Sequence, residues 1–193
     1  GFPGSSRVSA LSSAFAPYIS DRRPEAAAPS SSQMDSAVEG QRMSVLEAEA
    51  ISQPAISSNI YRKNQDSTLI THDPATNSCV LGVFDGHGGE LAAKRCAQLF
   101  IDFLKKQPGW EAAVASGGIP EKIKEVYSDA HFELDAYLRQ MPVFQTGEDR
   151  SGSTSITSIV TPTHWIVANT GDSRCVLASG GAAVAMSGDH KPT

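Results

Sequence analysis

Hydrophobic spacing divides this chain into a strand-rich stretch, a helical middle and a second strand-rich stretch. Between Glu90 and Lys106, Ala92, Cys96, Leu99, Phe100 and Phe103 recur at helical intervals and make one apolar stripe. Lys105 and Lys106 suit the C-terminal end of that helix, and Pro108-Gly109 stops it. A second long amphipathic helix starts at Pro120 and carries Ile123, Val126, Tyr127, Ala130, Leu134, Tyr137 and Leu138. Ala115 to Gly118 reads as loop. Upstream, Met43 to Ala50 has the composition of a short helix, Ala55 to Tyr61 of a first strand and Ser67 to Thr71 of a second. The turn formers of His72 to Asn77 join that second strand to Cys79–Phe84 as a hairpin. From Ser153 onward, β-branched runs alternate with turn signals, the pattern of an antiparallel meander. Strands, then two helices, then strands predict an α+β domain and not a βαβ array.

Composition narrows the function classes. The chain has 193 residues, 40% of them hydrophobic, enough for one domain with a real core. A net charge of −5 without a basic block argues against nucleic acid or an anionic membrane as partner. No apolar run approaches the roughly 20 residues that span a bilayer, so a soluble protein is expected. Cys79, Cys96 and Cys175 are scattered without metal-ligand spacing, which suggests reduced thiols and an intracellular, cytoplasmic or nuclear setting. Residues 1–33 are rich in Ser, Ala and Pro and read as a flexible N-terminal extension, with 34–193 as the folded portion. The first twenty residues hold Arg7 and no acid, so an organelle-targeting role for the extension stays open beside that reading. So does docking of Phe15 to Tyr18 on a partner.

The candidate chemistry lies at Asp85-Gly86-His87-Gly88-Gly89, directly after the apolar run Val80–Phe84. One reading is a hairpin turn, since Asp-Gly between apolar runs is a common turn signal. The other is a hard-metal site. There the Asp85 carboxylate ligates cations, the Gly86 carbonyl approaches them, and His87 stands beside them to give or take a proton. Two further segments favour the second reading. Arg62-Lys63-Asn64-Gln65-Asp66-Ser67 lies upstream, with Asp66 one strand, a turn and a second strand away from Asp85. Downstream come Gly152-Ser153-Thr154, then Gly171-Asp172-Ser173-Arg174, then Gly188-Asp189-His190-Lys191-Pro192.

In this order the motifs resemble the metal-dependent type-2C serine/threonine protein phosphatases, from about Ser58 to Thr193. The resemblance implies a central sandwich of two antiparallel β-sheets flanked by antiparallel helices, with a metal centre in a cleft at one end. It implies hydrolysis of phosphoserine and phosphothreonine on protein substrates by metal-activated water, with two or more Mg²⁺ or Mn²⁺ ions. By the same resemblance Asp85 bridges the ions, the Gly86 carbonyl and Asp66 assist, and Asp172 belongs to a further, weakly held metal. His87 takes the place of the acid that protonates the leaving oxygen, and Arg62 that of the phosphate clamp. Arg62 departs from the pattern: Tyr61 occupies the usual position, and one step along a strand reverses the face. Thr154 would support the cleft from behind, and Asp189 to Pro192 would be structural. Glu47 reads as a solvated helix face, and His72, His131, His164 and His190 as structural or surface residues.

Family members carry further metal acids beyond the Asp-His-Lys-Pro motif, and the sequence ends at Thr193 without them. Three expectations compete: part of a longer phosphatase, completion by a second chain, or a catalytically inactive pseudophosphatase acting as an interaction scaffold.

Overall fold

The computed structural model describes residues 18–22, 55–57, 60–62, 64–74, 76–115 and 120–191, with side chains undescribed in the first three segments and at 115 and 120. In chain order the elements are β1 (Tyr18–Arg22), β2 (Ala55–Ser57), β3 (Ile60–Arg62), β4 (Ser67–Asp73), β5 (Ser78–Phe84) and β6 (Gly86–His87). Next come α1 (Leu91–Lys106), α2 (Trp110–Ala115), α3 (Pro120–Gln140) and α4 (Pro142–Gln145). The last strands are β7 (Gly152–Ser153), β8 (Ser155–Val160), β9 (Trp165–Thr170), β10 (Val176–Ser179) and β11 (Ala182–Ala185).

The main sheet has five antiparallel strands in the order β1-β9-β8-β5-β4. The pairs β2-β3, β6-β7 and β10-β11 form separate antiparallel ribbons. Antiparallel sheets combined with helices are the α+β class expected. The hairpin of β4 and β5 sets Ser67 opposite Phe84 and Asp73 opposite Ser78, so Asp66 and Asp85 lie just beyond the same end of the sheet. That register is what brings the two acids together.

Alternation gives the sheet two faces. Val80 and Phe84 of β5, Ile159 of β8, and Ile166 and Ala168 of β9 pack against Phe100 and Leu104 of α1 and Tyr127, Leu134 and Leu138 of α3. Removing a Phe or Leu side chain from water in this way is worth roughly 1.5–3 kcal/mol at most. On α1 the fully buried positions are Ala92, Ala93, Cys96, Phe100 and Leu104, while Leu99 and Phe103 are half-buried beside them. The opposite sheet face holds a smaller cluster in which Ile156, Val167 and Met186 meet Trp165, Cys175 and Leu177. Toward β4 that face opens: Ile70 is 45% exposed and Val83 43%.

Several expectations change. The single strand over Ala55 to Tyr61 is two short strands, Ala55–Ser57 and Ile60–Arg62, with Ile56 opposite Tyr61; the turn-forming pair Ser58-Asn59 lies between them in the sequence. Tyr18–Arg22 falls inside the segment read as a flexible extension, yet it pairs with β9 along its whole length. Strand pairing of this kind uses backbone groups and does not require a strongly apolar sequence. Trp110–Ala115 is a short helix, anchored by buried Trp110, Ala113 and Val114. The helix expected over Met43 to Ala50 lies outside the described residues.

Candidate functional site

Phe84 ends β5 buried against the Phe100 ring, with centroids 6.2 Å apart. The next residue, Asp85, therefore emerges at the sheet end, exposed to solvent. Its backbone is held from both sides by Thr154: the Thr154 N–H donates to the Asp85 carbonyl at 2.9 Å, and the Asp85 N–H donates to Thr154 Oγ1 at 3.2 Å. Thr154 Oγ1 also meets Ser173 Oγ at 2.7 Å, tying in the segment that carries Asp172. Asp85 does not open a hairpin turn. The chain continues into β6, which pairs with β7 so that Gly86 faces Ser153 and His87 faces Gly152.

Two glycines make this arrangement sterically possible. A Cβ on Gly86 would stand 2.4 Å from the Gln65 carbonyl oxygen, so the loop carrying Asp66 packs directly on the Gly86 backbone. A Cβ on Gly152 would stand 2.4 Å from Nε2 of His87 and 2.8 Å from Cε1. The imidazole thus lies on bare backbone, and any side chain at 152 would dislodge it. Behind it, Ser151 Oγ accepts from the Ala92 N–H at 3.0 Å, satisfying one donor at the start of α1, and donates to Asp149. This clamp fixes the loop that leads into β7.

The electrostatics show which acids meet. Partial loss of water around the Asp85 carboxyl pushes it above its ordinary range; the Asp66 charge and a hydrogen bond shared with Asp66 push it the same way, as does Asp172, while His87 opposes them. Asp66, Asp172 and His87 therefore all lie within electrostatic reach of Asp85. The local turn at Asp66 is made by Asn64, whose Oδ1 accepts the Asp66 N–H at 2.9 Å. The Asp66 carboxylate is not spent on that turn. Arg62 lies on β3 opposite Ala55, and its side chain is outside the described residues. The Asp189 motif folds back on the Asp172 segment: the Arg174 guanidinium donates to both Asp189 oxygens, at 3.0 and 2.7 Å, and the His190 N–H donates to the Gly171 carbonyl at 2.8 Å.

A carboxyl whose affinity for protons is raised by acidic neighbours, as that of Asp85 is, marks a site short of positive charge. Its donors are hard oxygens, which suit Mg²⁺ or Mn²⁺ and not a soft metal. The fit is partial. Among the described residues no three His, Cys, Asp or Glu side chains close on a single ion position, and such ions take about six or more oxygens.

The family model for protein phosphatase 2C matches residues 35–193. The chain belongs to the protein phosphatase 2C family. Protein phosphatase 1B of Mus musculus is 33% identical over 120 residues, covering 60% of this chain and 31% of that protein. Protein phosphatase 2C homolog 2 of Saccharomyces cerevisiae is 33% identical over 130 residues, covering 66% of this chain and 26% of that one. The chain thus spans about a third or less of the curated relatives it matches. The fold agrees with the crystal structure of a serine-threonine phosphatase 2C from Toxoplasma gondii, with a TM-score of 0.59 and 22% identity over 68% of this chain and 47% of that one.

The sequence motifs pointed to Asp66, Asp85, Asp172 and His87 and to Thr154 as their support, and Thr154 does hold the Asp85 backbone. Gly152 under His87 and the Ser151 clamp at the start of α1 were not singled out. Such contacts join residues far apart in sequence, as with Asp85 and Thr154, 69 positions apart, and no local periodicity carries them.

Proposed function

We propose that this chain forms part of a metal-dependent phosphatase that hydrolyses phosphoserine and phosphothreonine on protein substrates. One observation supports this above the rest: Asp85 is gripped by Thr154 at the sheet end, with Asp66, Asp172 and His87 around it. Asp66, Asp85, the Gly86 carbonyl and Asp172 would hold Mg²⁺ or Mn²⁺, two or more ions in all, with the remaining oxygens from water or further polypeptide. Such ions, when bound, lower the pKa of water and offset charge as the phosphoryl group transfers. His87, seated on Gly152, protonates the leaving seryl or threonyl oxygen from its exposed ring. Arg62 is assigned to the phosphate oxygens, which a guanidinium matches bidentately.

The exposed row of Ile70 and Val83 supports a covering segment, from a longer form of the protein or from a second chain. The unpaired thiols of Cys79, Cys96 and Cys175 support an intracellular setting. A second reading, an inactive interaction module, draws on the small number of oxygen ligands gathered here for ions of high coordination number.

The deciding experiment measures phosphate release from phosphothreonine and phosphoserine peptides by the natural full-length protein with Mn²⁺. Turnover that needs the metal and disappears in Asp85→Ala is the expected result. Absence of turnover in the intact protein at saturating Mn²⁺ would leave the interaction module as the better account.

A further inference from the structure

Helix α3 and strand β8 pack through a largely apolar interface that contains a directional polar contact. His131 is buried there, its ring centroid 4.7 Å from that of Phe100 and 5.5 Å from that of Tyr127. Its Nδ1 lies 2.8 Å from the Tyr127 carbonyl oxygen, which can only accept, so Nδ1 carries the proton. That choice of tautomer leaves Nε2 bare, and at 3.1 Å it accepts the hydroxyl hydrogen of Ser155. Burial drives the imidazole pKa down to about 4 and keeps it neutral near pH 7, so both nitrogens hold these roles. Along the same interface the Tyr127 and Thr157 hydroxyls are buried without a well-formed hydrogen bond. Among the described residues of this interface, the His131–Ser155 contact is therefore the one with defined direction.

Ser155 directly follows Thr154, the residue that grips the Asp85 backbone on both its N–H and its carbonyl. We propose that His131 is a positioning residue: its hydrogen bond to Ser155 pins the Asp85 end of the sheet to α3 and thereby sets where Thr154 holds Asp85. Apolar packing alone would keep α3 on the sheet, but it is non-directional and tolerates small slides. A hydrogen bond between buried groups is lost within a fraction of an ångström of such a slide, so it selects one register. The consequence for catalysis rests on the phosphatase reading; the claim about Asp85 does not.

The test uses the full chain and reads hydrogen exchange at individual amides. Ser155→Ala removes the donor, His131→Phe keeps an aromatic ring, and His131→Gln places an acceptor near the Nε2 position. Ser155→Ala and His131→Phe are expected to raise exchange at the Asp85 and Thr154 amides by about tenfold or more, while Ile159 and Leu134 stay protected. His131→Gln should recover part of the protection. Exchange at Asp85 and Thr154 that is unchanged, or that rises equally across the sheet, would reduce His131 to an ordinary core residue. If His131→Phe does not fold, Ser155→Ala decides alone. Where the full-length protein turns over, Ser155→Ala should lower kcat by about tenfold with KM little changed. If the parent has no turnover, the phosphatase reading fails and the exchange result still judges the positioning claim.

Discussion

The two walls of the carboxylate cleft are built in different ways. On the Asp85–His87 side, position is enforced by contact: Gly86 against the Gln65 carbonyl, the His87 ring against Gly152, and Thr154 locked to both backbone groups of Asp85. On the Asp172 side only Gly171 packs closely, against Thr154, and beyond it position is held by polar bonds, with the Arg174 end of the fork on Asp189 exposed. Close contact cannot relax without moving atoms, whereas water can replace an exposed ion pair at little cost. The first wall should therefore resist any change of shape and the second should tolerate loss of charge.

Substitution at Gly152 tests that contrast most severely. Gly152→Ala places a methyl group where His87 now rests, and the exposed ring is free to swing away, so the fold should survive while chemistry suffers. The expected outcome is a fall in kcat/KM of about 100-fold for a phosphopeptide, the cost of moving a reacting group by an ångström. Activity within about twofold of the parent would mean that the ring does not need its seat.

The buried support beneath the first wall should show itself through pH. His131 sits near pKa 4 in the folded protein, from desolvation, against 6.5 for an unperturbed histidine. Between those values the unfolded chain binds a proton that the folded chain refuses, so stability is full above pH 6.5 and declines as pH falls toward 4. From about pH 7 to about pH 5 the loss is roughly 2 kcal/mol. Denaturant titrations at the two pH values measure it, and His131→Phe should remove this component from the difference.

Legibility in the sequence tracked the range of the interactions. The helical stripes foresaw α1 and α3 because their burial is set by neighbours three and four residues away. The β4–β5 hairpin was visible because its turn is local, and with it the approach of Asp66 to Asp85. His131 gave no sign: an imidazole on a helix of mixed composition reads as a structural or surface residue until Ser155 is brought beneath it by the sheet. β1 was hidden because Tyr18–Arg22 joins β9 through its backbone, and composition alone marked that stretch as extension. The Asp172 side was foreseen as a motif, but not the fold-back of Asp189 onto Arg174 that closes it.

A smaller effect separates function from stability within the first wall. The Asp85 carboxyl is raised above 3.8 by partial desolvation and by its two acidic neighbours, so the fold disfavours its ionised form. Without metal, stability should fall as pH rises from 3.8 through the raised value, since the folded state holds the proton longer than the unfolded one. Asp85→Asn should therefore stabilise the metal-free protein at neutral pH, by about a few tenths of a kcal/mol because solvent screens most of the repulsion. Thermal melts with chelator and with Mn²⁺ check both halves: the variant melts higher without metal, and the parent alone gains when metal is added.

The smallest change is expected at Arg174, where the second wall is most exposed. Its guanidinium holds the Asp189 carboxyl below the ordinary carboxylate range, chiefly through the hydrogen bonds between them. The stabilisation this provides is present above pKa 3.8 and disappears as pH falls through the depressed value, so at neutral pH it is fully in force. Even so, the Arg174 side of the pair faces water and screening salt, and His190 keeps its own backbone bond to Gly171 when Arg174 is removed. Arg174→Ala should lower the neutral-pH melting temperature only slightly, and the difference from the parent should vanish in acid, where Asp189 is protonated. A large drop at neutral pH would show that the Asp172 wall depends on this pair for its shape, and the contrast between a contact-built wall and a charge-built one would fail.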